Sequence, residues 1–141
     1  IINKDNKMNN KNLDIKKLTC ISALLVHAAK IDDEYSLKEK NIILDFLNNF
    51  TSDDEIKKNI LNNAENLEND SNQILNFTNT IKEESLESKS IVIKELWKII
   101  VSNNETDEYE SNLMRRICGL IYFPDKLSGE IKQDLINKLK N

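Results

Sequence analysis

Four side chains in two short runs could hold a cation. Asp32 and Glu39 bracket the run Asp32-Asp33-Glu34-Tyr35-Ser36-Leu37-Lys38-Glu39, and Asn103 and Glu110 bracket Asn103-Asn104-Glu105-Thr106-Asp107-Glu108-Tyr109-Glu110. Asp32 and Asn103 stand 71 residues apart, as do Glu39 and Glu110. Carboxylate and amide oxygens of this kind suit a hard divalent cation, Mg²⁺, Ca²⁺ or Mn²⁺, better than a soft metal. The same residues have a structural use. Ser36-x-x-Glu39 and Asp107-x-x-Glu110 both match the capping box, in which an N-cap oxygen and a carboxylate three residues on satisfy each other's backbone donors. A carboxylate in the first helical turn also gains about 0.3–1 kcal/mol from the helix dipole. The two roles can coexist, and capping does not account for Asp32 or Asn103.

Spacing puts these groups in line with core faces. Asp32 follows Leu25 and Ala28 at helical spacing, and Glu39 precedes Ile42, Ile43 and Phe46. In the second run Asn103 follows Leu96 and Ile100, and Glu110 precedes Leu113, Met114 and Ile117. Acids so placed are costly unless they are paired, hydrogen-bonded or bound to a cation. An EF-hand does not fit: with Asp32 as loop position one, Ile43 falls where the bidentate glutamate is required, and Met114 falls there in the second run. A cation site would therefore draw its ligands from both turns.

The elements that must position the turns are helices. Apolar residues recur at helical spacing, and only Gly119, Gly129 and Pro124 interrupt the chain. Seven helices are expected, over about 14–31, 37–50, 53–68, 71–84, 87–102, 107–122 and 126–140. The third begins with the capping pattern Ser52-x-x-Glu55, and Phe123-Pro124 ends the sixth. The 71-residue offset continues into the flanking apolar residues, from Ile21 and Val92 to Phe50 and Ile121. The fold class expected is all-α, a compact bundle of about seven helices with an internal pseudo-twofold duplication. Residues 1–12, rich in Lys and Asn and without periodicity, are expected to be a disordered N-terminal segment, and residues 13–141 the helical domain.

A net charge of −4 and a sequence pI near 5.1 argue against nucleic acid as a partner, because that class needs a clustered basic face. No apolar run reaches the roughly 18 residues of a spanning helix, so no membrane insertion is expected and the chain reads as cytoplasmic. No general base, nucleophile or phosphate loop accompanies the acids, so an enzyme is not expected. Cys20 and Cys118 sit within apolar helical patterns as small buried thiols. Trp97 reads as a packing anchor and His27 as a partly exposed or interfacial side chain rather than a ligand. Arg115 and Arg116 could pair with a carboxylate, with Asp45 a candidate for Arg116, or simply be solvated. The Asn- and Glu-rich stretch 62–73 reads as polar helix surface and loop.

Residues Ala23 to Glu34 continuing to Glu39, followed by Glu95-Leu96-Trp97-Lys98 and by Glu110-Ser111-Asn112-Leu113-Met114-Arg115-Arg116-Ile117, resemble the TerB (tellurite resistance protein B) family over about residues 14–140. The resemblance implies an all-α, mainly seven-helix bundle with internal duplication and acidic residues gathered as a divalent-metal site. It also implies a bacterial cytoplasmic protein tied to tellurite and other chemical stress, with protein partners that can be membrane-associated. The family's acidic positions fall on Asp32, Glu39 and Glu110, whereas Asn103 stands where the family has a second Asp, and Asn104 where it tends to have Gly. An amide keeps one ligand oxygen but removes a negative charge, so the site is expected to hold a hard cation less tightly.

Overall fold

The computed structural model describes residues 14–31, 35–71, 73–102 and 108–140, the side chains of residues 108 and 109 excepted. All regular structure among them is helical: α1 (Ile15–Lys30), α2 (Leu37–Leu47), α3 (Asp54–Asn69), α4 (Leu75–Ile81), α5 (Leu86–Val101), α6 (Glu108–Ile121) and α7 (Asp125–Lys140). The expected segment at residues 1–12 lies outside the described residues.

Local sequence explains where several helices start and stop. Asp14 caps α1 by accepting from the Lys17 amide at 3.0 Å, and Ser85 caps α5 by accepting from the Ser88 amide at 3.1 Å. The cap of α3 corrects the expected Ser52-x-x-Glu55 pattern. Asp53 is the N-cap, accepting from the amides of Glu55 and Ile56 at 2.9 and 3.2 Å. Its short carboxylate reaches two free donors at once and carries the charge that the helix N-terminus favours. Helix α2 stops at Leu47, three residues before its expected end; the Asn49 side chain bonds the Phe46 carbonyl at 3.1 Å, and Phe50 folds back edge-on to Phe46. At the end of α6, Tyr122 takes a left-handed φ of 61°. Phe123 donates to the Cys118 carbonyl at 2.8 Å and Tyr122 to the Gly119 carbonyl at 3.4 Å, a Schellman closure in front of Pro124.

Helices α1 and α5 are the two central elements. Ala23, Leu24, Leu25, Val26, Ala28 and Ala29 of α1 are all buried, as are Ile93, Leu96, Trp97, Ile99 and Ile100 of α5. A helix apolar on most sides is a core helix, and the single stripes read from sequence widen accordingly. Helix α3 packs on α1, α7 packs on α5, and the two central helices pack on each other. The helix pairs α1 and α5, α2 and α6, and α3 and α7 each begin 71 residues apart, so the offset extends to a third pair of helices.

Candidate functional site

The acidic turns follow α1 and α5 and lead into α2 and α6. Asp32 and Asn103 lie outside the described residues, as does the Asp107 half of the second capping pattern. Glu39 and Glu110 are described, and both are buried, at 1% and 3% exposure. Two carboxylates removed from water at the first turns of paired helices require compensation.

For Glu39 that compensation is explicit, and it comes from both turns. Oε1 accepts the Ser36 amide at 2.8 Å and the Ser36 hydroxyl at 2.5 Å. Ser36 and Glu39 thus form the expected capping box at the start of α2. Oε2 accepts the Ser102 hydroxyl at 3.3 Å, and Ser102 caps the C-terminus of α5 immediately before Asn103. That hydroxyl has one proton to share, and it also points to the Ile99 carbonyl at 2.6 Å. Next to Glu39, the Lys38 ammonium donates to the Ser102 backbone carbonyl. Burial alone would raise the Glu39 pKa, but the hydrogen bonds from Ser36, from its own backbone and from Ser102 outweigh it, leaving the carboxyl below its ordinary value. Glu39 is therefore a buried carboxylate held in its charged form.

The first turn is also tied to α3. The Tyr35 hydroxyl donates to Glu65 Oε2, and the Lys40 ammonium lies 3.5 Å from the same oxygen and 5.2 Å from the Tyr35 ring centre. Burial, then the hydrogen bond to Glu65 and the charges of Glu65, Glu68 and Glu39, push the Tyr35 hydroxyl well above its ordinary pKa. Lys30 and His27 reach Glu68 at 2.8 and 3.2 Å. Glu65 and Glu68 are thus partners of the turn, which corrects the reading of residues 62–73 as plain polar surface. Their signal in sequence is weak: acids three apart on a helix face flanked by Leu61 and Ala64. His27 is interfacial, as expected.

Other sequence candidates fall into place around this frame. Glu95 is a third buried carboxylate, at 5% exposure, with Lys98 at 3.1 Å. Its position inside the apolar run 91–101 could have marked it. Trp97 is a packing anchor whose indole donates to the Ser128 hydroxyl at 3.0 Å, with the Lys132 ammonium 5.0 Å from its ring centre. Arg115 and Arg116 are exposed, and neither pairs with Asp45 among the described residues. Cys20 and Cys118 are buried free thiols; burial pushes the Cys118 thiol pKa up, against a hydrogen bond with Ser128, so it is a poor nucleophile at neutral pH. An open, mostly apolar pocket of about 220 Å³ lies between the first two turns of α1 and α5 and is closed by Phe46, Phe50 and Ile81, at the end of α1 and α5 away from the acidic turns.

Among the described residues, no three His, Cys, Asp or Glu side chains gather as a metal site, and no helix is long and apolar enough to cross a membrane. What the described part of the seam offers is a charged, buried carboxylate with serine hydroxyls from both turns on its oxygens. A family model described as tellurite resistance protein TerB matches residues 19–133. Searches of curated proteins and of solved structures return no match.

Proposed function

Because the chain belongs to the TerB family, whose model spans residues 19–133, we propose that it is a non-enzymatic module that binds a divalent cation where its two acidic turns meet. Asp32, Glu39 and Glu110 supply carboxylates and Asn103 an amide oxygen, a donor set for Mg²⁺, Ca²⁺ or Mn²⁺. The module serves a tellurite or chemical stress response in the cytoplasm through protein partners, including membrane-associated ones.

The observation that carries this reading is the position of Glu39. It begins the second helix of the first repeat, yet its Oε2 is met by Ser102 at the edge of the second turn. Oε2 is the oxygen that the capping box leaves open, and it faces a group 63 residues away. A second reading has its own support. The complete capping box at Ser36 and Glu39 favours an interaction scaffold whose acidic turns are structural.

Thermal denaturation with Mg²⁺, Ca²⁺, Mn²⁺ or EDTA separates the two. Cation binding raises the melting temperature with concentration, and Asn103→Asp strengthens the effect by restoring a charge. If no cation moves the melting temperature of either protein, the scaffold reading stands and the cation reading fails.

A further inference from the structure

We propose that the apolar pocket at the start of α1 and α5 binds a small amphipathic amine, an apolar chain or ring of roughly six to nine carbon atoms that carries an ammonium group. The pocket lies at the far end of α1 and α5 from the acidic turns and shares no residue with the cation reading above.

Four helices build its floor. Leu18 and Ile21 of α1, Phe46 of α2, Ile81 of α4 and Val92 of α5 line the pocket, and each is a buried core residue. Side chains packed in this way leave the pocket preformed, so a ligand can enter without opening the core. Phe50, half-buried, and Ile91, exposed, extend the apolar wall to solvent. At about 220 Å³ the pocket exceeds the roughly 150 Å³ of a cavity that holds benzene and falls below the roughly 300 Å³ at which sites for larger ligands begin. That size selects one short chain or one ring.

Charge selects the head group. The charged side chains that line the pocket are Asp14 and Glu84 against a single lysine, Lys17. Lys17 pairs with Glu84 at 2.5 Å and lies 4.0 Å from Asp14 Oδ2, so two carboxylates share one ammonium. The residue of α5 that corresponds to Lys17, 71 positions on, is Ser88, which also lines the pocket but brings no charge. The rim is therefore one positive charge short. A ligand ammonium at the mouth supplies that charge while its apolar part displaces water from the floor.

The test follows amide resonances of the full chain by NMR during titration with n-hexylammonium, hexanol or hexanoate. Hexylammonium is expected to shift residues around the pocket and to bind about two- to fivefold more tightly than hexanol, with hexanoate weakest. That preference should shrink as salt is added. Asp14→Asn keeps a competent cap on α1 and should erase the preference for the amine, whereas Lys17→Met should increase it. Ser88→Phe, at a half-buried place on the pocket wall, should exclude all three ligands, with a melting curve to show that it folds. If Ser88→Phe does not fold, the two rim variants decide alone. The proposal is overturned if none of the ligands shifts the pocket residues, if hexanol or hexanoate binds as tightly as the amine, or if Asp14→Asn and Lys17→Met move the preference in the same direction.

Discussion

The two helix sets that start 71 residues apart, α1 to α3 and α5 to α7, share an order of elements and differ in the polar contacts that join their helices. In the first, α3 reaches the turn through charged groups: Glu65 holds Tyr35 and Lys40, and Glu68 holds His27 and Lys30. In the second, the residues 71 positions on from Glu65 and Glu68 are Ile136 and Leu139, and those equivalent to Lys30 and Lys40 are Val101 and Ser111. The tie between α7 and α5 is instead an aromatic anchor, Trp97 on Ser128 beneath Lys132, where the first repeat has Val26, Lys57 and Leu61. The same helix pairs meet in both places, α3 on α1 and α7 on α5, but the polar restraints between them differ. The difference between the two halves thus extends into the helices that flank the acidic turns.

The largest expected effect tests the aromatic anchor. Trp97→Ala removes a side chain that is 5% exposed together with its hydrogen bond to Ser128, and should cost about 3–5 kcal/mol in urea unfolding. Val26→Ala at the matching place removes less volume and no hydrogen bond, and should cost clearly less. Equal losses would mean that α5 and α7 do not depend on the anchor more than α1 and α3 depend on their own packing.

The charged tie of the first turn comes next. Tyr35→Phe removes a hydrogen bond to a carboxylate and should cost about 1.5–3 kcal/mol. Because folding raises the Tyr35 pKa, its contribution is fully present below the unfolded value of 10.0 and is lost as pH rises beyond it. Wild type should therefore lose stability more steeply than Tyr35→Phe in denaturation series carried above pH 10.0. Parallel curves would show that the tyrosine proton is no part of the tie.

Ser36→Ala tests the cap between turn and helix, with an expected loss of about 0.5–2 kcal/mol. Folding lowers the Glu39 pKa, so the stability it contributes is present above the ordinary glutamate value and disappears as pH falls through the folded value. Removal of the Ser36 hydroxyl takes away one of the bonds that keep Glu39 charged. The share of the acid limb that Glu39 contributes should then be smaller in Ser36→Ala and be complete at a higher pH than in wild type. An unchanged acid limb would assign the buried charge to Ser102 and the backbone alone.

How much of this was legible in the sequence depends on whether a residue's role is local. The seven helices of the described residues follow from apolar spacing, because period is a property of one segment. The Ser36 and Glu39 cap was legible for the same reason: both partners lie in one turn. Ser52 and Asp53 are both competent caps by residue type, so the sequence pattern points to Ser52 while backbone geometry selects Asp53. The contacts of Glu39 with Ser102, of Tyr35 with Glu65 and of His27 with Glu68 join residues 63, 30 and 41 apart. No periodicity encodes such pairs; they exist only because α2 packs on α3 and α5, and α1 on α3.

The smallest effect has the opposite sign and lies in α1. Ser22 is fully buried, and its hydroxyl has no hydrogen-bond partner among the described residues. The equivalent residue of α5 is Ile93, also fully buried, so the frame accepts an apolar side chain at this place in one repeat and carries an unsatisfied hydroxyl in the other. A buried hydroxyl without a partner costs free energy, and alanine is the better helix former. Ser22→Ala should accordingly raise stability by about 0.5–1 kcal/mol, seen as a higher urea midpoint at unchanged slope. Ser22→Ile, which copies the second repeat, adds volume that the packing around α1 was not shaped to hold and should gain less than alanine or lose stability. If alanine lowers the midpoint instead, the hydroxyl has a partner, such as a buried water, and α1 is as fully satisfied as α5.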